Sequence, residues 1–437
     1  MLRALSRPAT RLMERWLPDA FIFVVVLTLV AAVAAMLSQG TSPVALVRMW
    51  GNGFWELLSF AMQMLLVLVT GFILASSPPV RRLLAYLAGF ARSRGGAIVL
   101  VTVVSLAASW INWGFGLVVG AIFAKEIARQ VRVDYRLLVA SAYSGFVVWH
   151  GGLSGSVPLT IATPGHFSEA QIGMVPTADT IFAPWNLAII VALFVVIPLA
   201  NRLMLPLPQD EVLVDPARLA EPGLPDLPQA DATPAQRLEN SRILMWLIGV
   251  PGLAWLVMYF AGGGGLNLNV VNFLFLFAGI LLHGTARSLL AVLDEAVRGG
   301  AGIVIQFPFY AGIMAIMVES GLAAGLSAWF VSISTAETLP FWSFISAGIV
   351  NIFVPSGGGQ WAVQAPVMLP AAEALGADLP RVAMGVAWGD AWTNLLQPFW
   401  ALPMLGIAGL KPRDIMGFCV ILLGITGVVI GGGLLLL

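Results

Sequence analysis

Apolar stretches recur along the whole chain, at about 20–38, 54–76, 96–124, 137–164, 181–205, 243–261, 267–283, 299–320, 341–372, 382–409 and 414–437. A helix that crosses the hydrocarbon core of a bilayer takes about 20 predominantly apolar residues. Only 10% of the 437 residues are charged, whereas a soluble domain carries about 25%. With a mean hydropathy of +0.92, the chain cannot cover a water-facing surface. The expected solvent is therefore a bilayer, and the expected class is an all-α polytopic membrane protein. A net charge of zero gives no footing for nucleic acid. The single cysteine, Cys419, lies in an apolar run. It permits no disulfide within the chain and no zinc set, and reads as a small buried hydrophobe.

Arg3, Arg7, Arg11 and Arg15 precede the apolar run Phe21 to Leu37, an arrangement that superficially resembles a signal peptide. The run is long enough to span and has a counterpart later in the chain, so we read it as a first transmembrane helix. The stretch from Pro206 to Asn240 is rich in Pro, Asp, Glu and Ala and reads as a linker. Residues on its two sides match in order. Gln63 pairs with Gln306, Ser77 with Ser320, Leu83 with Leu326 and Tyr86 with Trp329 at one offset; Asn112 with Asn351, Pro158 with Pro398 and Asp179 with Asp414 follow at slightly smaller, unequal offsets. This ordered series predicts a duplicated unit. The expected organisation is a first repeat over 16–205, a polar cytoplasmic linker over 206–242, an extra connecting transmembrane helix over 243–261 and a second repeat over 262–437.

Charge placement orients the units. With a cytoplasmic N-terminus and re-entrant hairpins at 96–124 and 341–372, only Arg48 and Arg381 of the 22 Lys and Arg residues face outward, as the positive-inside rule requires. Twenty-nine residues at 96–124 are few for two spans and a turn. On this path the extra helix turns the second repeat upside down, so the expected fold is a pair of inverted-topology repeats with re-entrant hairpins and broken transmembrane helices. The pieces at 80–94 and 323–337 read as interfacial helices, the first with four arginines and the second with none.

Non-helical backbone at membrane depth survives only where protein or a watery cavity satisfies it, so breaks are where a site is expected. They are predicted at Trp110–Gly116, Gly151–Pro158, Asn351–Trp361 and Gly389–Pro398. Glycine lets a ligand approach the backbone, and proline starts the next half-helix. The N-terminus of a half-helix attracts a carboxylate, while Asn and Ser oxygens and unwound carbonyls suit a sodium ion. The candidate binding residues are Asn112, Gly114, Gly116, Ser154, Gly155, Ser156, Asn351, Ser356, Gly357, Gly358, Gln360, Asp390, Asn394 and Gln397, with a sodium site near Asn112, Asn351 and Asp390 as one possibility. Glycine in membrane helices also serves close packing, but clustered breaks in a repeated order favour a site. Asp390 is the ionisable residue expected at depth, as a sodium or proton site or a rim position. His150 aligns with it and reads as titratable or simply packed. Gln63 and Gln306 line the path or join helices. Glu56 and Glu319 read as interfacial, His166 and His283 as structural. No deep Arg or Lys can clamp an anion, which suits a small, singly charged, partly apolar substrate. Trp110, Trp113, Trp149, Trp361, Trp392 and Trp400 are candidates for its apolar wall or for packing.

These motifs carry a resemblance. Met49–Trp55 (MWGNGFW), Ile111–Gly120 (INWGFGLVVG), Gln306–Gly312 (QFPFYAG), Val354–Gly359 (VPSGGG) and Gln397–Pro403 (QPFWALP) resemble the bacterial short-chain fatty acid transporter family, over essentially the whole chain. The resemblance implies a carrier for acetoacetate or butyrate in the bacterial inner membrane. It implies symport of H+ or Na+ with alternating access, no organic cofactor and no enzymatic activity; the sequence leaves the oligomeric state open, a homodimer being one form. It also implies that Asn112 and Ser356 sit at hairpin tips, with Ser154 and Asn394 in the broken crossings. His150 departs from the family pattern, which has a small residue there. A cation/proton antiporter of the same architecture is the alternative. A membrane-embedded enzyme is a more distant one, because three His and one Cys are too few and too scattered for a catalytic cluster.

Overall fold

The structure, a computed structural model, describes residues 20–214, 219, 233–352, 354 and 356–437. Arg3, Arg7, Arg11 and Arg15, linker residues 215–218 and 220–232, and Phe353 and Pro355 lie outside the described residues. The first half holds α1 (Ala20–Gln39), α2 (Pro43–Gly53), α3 (Leu58–Ala75), α4 (Pro78–Ala88), α5 (Arg94–Ile111), α6 (Trp113–Gln130), α7 (Tyr135–Ser144), a 3-10 segment (Gly145–Gly151), α8 (Ser156–Ile161), a short α9 (Glu169–Ile172) and α10 (Pro184–Leu203). After the linker come α11 (Pro234–Glu239), α12 (Arg242–Ala261), α13 (Leu268–His283), α14 (Ala286–Gly299), α15 (Ala301–Glu319), α16 (Leu322–Ile333), α17 (Leu339–Val350), α18 (Gly357–Leu375), α19 (Leu379–Thr393), α20 (Pro398–Ala408) and α21 (Pro412–Leu436). Among the described residues, six helical stretches are long and apolar enough to cross a membrane. The protein is an all-α, multi-pass membrane protein.

The helices pack in two groups. One contains α1, α2, α3 and α12–α16; the other contains α5–α8, α10 and α17–α21. They meet along two seams of the same composition: α3 and α4 lie against α6, and α15 and α16 lie against α18. The element order before each seam also recurs, a long helix and a short one followed by a helical hairpin.

Each hairpin turns at a polar residue in extended backbone. Asn112, at φ −156° and ψ 130°, separates α5 from α6, and its Oδ1 accepts from the Phe115 N–H at 2.9 Å. Ser356, at φ −156° and ψ 107°, opens α18 and accepts from the Gly359 N–H at 3.3 Å. Asn and Ser are favoured there because a short oxygen reaches the orphan N–H groups of the first turn. The arms of the first hairpin approach closely, since a Cβ on Gly116 would lie 2.5 Å from the Ser109 Cα. The hairpin is longer than 96–124 predicted, because hydropathy undercounts the polar helix ends at Arg94 and Gln130.

Each tip packs against the middle of a long helix. A Cβ on Gly114 would be 3.0 Å from the Leu68 backbone, in the middle of α3. One on Gly359 would be 2.6 Å from the Tyr310 ring, in the middle of α15. Arg94 and Arg129, at the outer ends of the first hairpin, bond the linker at Pro206 and Leu219. Arg94 also pairs with Glu211. Tyr135 OH donates to the Ala408 carbonyl at 2.9 Å, and His283 bonds the Ile73 carbonyl. Arg381, in α19, bonds the Leu434 carbonyl at 3.0 Å and lies over the Trp185 ring.

Asn186 joins the halves. Its Nδ2 donates to the Gly151 and Ile181 carbonyls, and its Oδ1 accepts from the Trp388 Nε1 at 3.0 Å. Asn186→Ala strands a buried indole N–H and is expected to cost about 2–3 kcal/mol. Thermal unfolding in detergent checks this, with exposed Asn240→Ala as the control expected to stay within about 0.5 kcal/mol.

Candidate functional site

The predicted breaks form, but shifted. In the first hairpin only Asn112 leaves the helix; Trp113–Gly116 are the first turn of α6. In the second, Gly357–Gln360 likewise belong to α18. In the first crossing the chain tightens into the 3-10 segment, breaks at Gly152–Gly155 and resumes at Ser156. The second crossing departs most from the prediction. Gly389 and Asp390 lie inside α19, and the break is Asn394–Gln397. Gly389 is there for packing, since a Cβ would sit 2.6 Å from that of Ala347 in α17. A glycine chosen for close helix contact reads in sequence like one chosen to end a helix.

At the first tip the polar groups cap α6. Ser154 Oγ accepts from the Trp113 N–H at 2.9 Å, Asn112 Oδ1 from the Phe115 N–H, and the Asn112 carbonyl from the Gly116 N–H. Gly114 fits against α3 and Gly116 against Ser109. Gly155 lies against Pro158, and the carbonyl of Ser156 accepts from Thr160 Oγ1. Most of the N-terminal positive end of α6 is thus satisfied within the protein.

The second tip is different. Asn351 Nδ2 lies 2.9 Å from the Asp390 carbonyl, 2.9 Å from Thr393 Oγ1 and 2.8 Å from Asn394 Oδ1. Gln397 Nε2 donates to the Asn351 carbonyl. Tyr143 OH donates to the Asn394 carbonyl at 2.6 Å, bringing in α7. Gln360 Nε2 donates to the Ala347 carbonyl and to Gln364 Oε1, both at 2.7 Å. Asp390 Oδ2 accepts from Asn394 Nδ2 at 3.2 Å and lies 3.4 Å from His150 Nδ1. Three buried acceptors of this cluster have no partner: Asn351 Oδ1, Gln360 Oε1 and Asp390 Oδ1. Ser356 caps the Gly359 and Gln360 N–H groups at the start of a 19-residue helix, and those of Gly357 and Gly358 have no partner among the described residues. Gly358 faces Phe60 and Met64 of α3.

Trp149 and His150 bridge the two tips. Their rings stack at 3.7 Å, Trp149 lies 5.9 Å from Trp113, and a Cβ on Gly357 would be 2.8 Å from Trp149. Trp400 and Phe146 extend this wall. Trp392 instead packs on Phe344 and donates to the Leu423 carbonyl. The sequence alignment of His150 with Asp390 was the available hint that the two meet. His283 is satisfied on both nitrogens. His166, in the loop before α10, bonds the Gly173 carbonyl, and burial holds it below the ordinary imidazole range. Glu56 and Glu319 line a cavity of about 800 Å³ between α15, α16 and α18, together with Phe167, Ser327 and Pro366.

A helical membrane protein in which two hairpin tips are bridged by buried aromatic rings beside a buried, partly unsatisfied polar cluster has the architecture of a membrane carrier. The chain belongs to the short chain fatty acid transporter family, whose family model matches residues 1–437. It is 48% identical over 440 residues, all of both chains, to a protein of Escherichia coli K12 named "Putative short-chain fatty acid transporter", and 45% identical over 429 residues, 96% of each chain, to one of the same name from Haemophilus influenzae. The family is one of transporters, not enzymes. The YdaH transporter of Alcanivorax borkumensis, described as having an unusual topology, shares the fold at a TM-score of 0.56 with 18% identity, over 95% of this chain and 97% of that one.

Proposed function

We propose that the protein is a secondary active transporter that carries acetoacetate- or butyrate-sized monocarboxylates across a bacterial inner membrane, by symport with H+ or Na+ and alternating access. The substrate carboxylate binds at the open first turn of α18, and its short tail lies against Trp149, Trp113 and Trp400. The observation that carries this reading is Asp390, buried in α19 beside that turn with one oxygen unpartnered and no Lys or Arg within ion-pair distance among the described residues. A carboxylate in that setting needs a positive charge or a proton beside it. Asn351 Oδ1 and Gln360 Oε1 are hard, uncommitted oxygens in the same cluster.

The two matching seams and the recurring element order support two inverted repeats, over 16–205 and 262–437, with α12 as the connecting span. The helix group bearing the hairpins would move against the group built on α3 and α15. The cavity over Glu319 and Pro366 gives an aqueous approach from one face. The clustering of Arg81, Arg82, Arg92, Arg94, Arg129, Arg132 and Arg136 supports a cytoplasmic position for their loops. Proteoliposomes given an inward proton or sodium gradient are expected to accumulate labelled butyrate or acetoacetate with one of the two ions. Failure to take up either acid under both gradients, while the protein remains folded, overturns the proposal.

A further inference from the structure

His150 is fully buried in the 3-10 segment, and its ring is held three ways. Trp149 stacks over it. Nδ1 lies 2.7 Å from the Ala387 carbonyl. Gly357 packs against its far edge, where a Cβ would stand 2.6 Å from Nε2. A carbonyl oxygen only accepts, so Nδ1 carries the hydrogen and, in the neutral ring, Nε2 is a bare acceptor. Nε2 has no hydrogen-bond partner. It faces the first turn of α18, where Gly357 allows the ring to approach the backbone. An unpartnered buried acceptor costs about 1–3 kcal/mol unless something donates to it.

We infer that His150 Nε2 is a specificity-determining acceptor for a ligand hydroxyl, so that the preferred substrate is a short hydroxylated monocarboxylate. This rests on the carboxylate-binding role proposed for the first turn of α18. The carboxylate takes the Gly357 and Gly358 N–H groups, and the hydroxyl donates to Nε2. Butyrate and acetoacetate carry only acceptors at neutral pH and leave Nε2 unmatched. A site with a committed polar partner discriminates against analogues lacking the matching group far more strongly than an apolar pocket discriminates by size. The ring is covered in this conformation, so the ligand reaches it as the second hairpin moves away from the 3-10 segment.

The test is equilibrium binding to the purified full-length protein, with butyrate, 2-hydroxybutyrate and 3-hydroxybutyrate as probes. One of the hydroxy acids is expected to bind the wild type at least about tenfold more tightly than butyrate, the scale of one matched hydrogen bond. His150→Asn keeps an N–H near the Nδ1 position but removes Nε2. It is expected to bring that ratio to about one. His150→Gln, whose amide reaches the Nε2 position, is expected to recover part of the preference. Equal binding of all three acids by the wild type overturns the inference even if no variant folds, as does a preference that survives in His150→Asn. In both cases the binding of short acids itself stands. Binding of none of the acids removes the underlying reading as well.

Discussion

Asp390→Asn is expected to abolish uphill accumulation while leaving exchange intact. A cation gradient worth about 2.3 kcal/mol supports roughly 50-fold accumulation at one-to-one coupling. The variant should fall to a ratio of about one, because the requirement for a compensating ion disappears with the charge. Asn fits the site, since Asn394 Nδ2 can still donate to the amide oxygen at the Oδ2 position. His150 Nδ1 retains its main acceptor, the Ala387 carbonyl. Labelled-butyrate counterflow should therefore persist within about threefold, since the binding turn of α18 is unchanged. Uphill accumulation that survives in Asp390→Asn would show that the coupling ion binds elsewhere.

Gly389→Ala is expected to produce a large loss of stability. The new Cβ would be driven into the Phe344 carbonyl and would sit 2.9 Å from the Gly348 N and 2.6 Å from the Ala347 Cβ. These are rigid atoms of α17, not the end of a flexible side chain. Overpacking costs about 1–3 kcal/mol where neighbours can yield, and here they are backbone. Separating α17 from α19 also pulls on the Asn351 bonds to Asp390, Thr393 and Asn394. A lower unfolding temperature and weaker butyrate binding are expected together. Gly424→Ala is the control, with nothing within 4 Å of its Cβ, and is expected to shift stability by less than about 0.5 kcal/mol. Equal behaviour of the two variants would remove the packing argument.

The membrane class and most helix positions could be read from the chain, because each depends on properties summed over a local window. Hydropathy measures the cost of placing a segment in lipid, and arginine placement follows the same local rule. The turns at Asn112 and Ser356 were visible for a similar reason: a short polar side chain beside glycine caps a first turn through contacts three residues away. The partners of those side chains were not visible. Asn112 and Ser154 serve the end of α6, whereas Asn351, Asn394 and Gln397 tie the second hairpin to α19. The meeting of His150 with Ala387, Asp390 and Gly357 joins residues more than two hundred positions apart. Such pairings depend on how rigid helices cross, and no local window contains that crossing. Folding alone therefore gave the first helix end one more cap, from Ser154, than the second has among the described residues, although both begin with the same kind of motif.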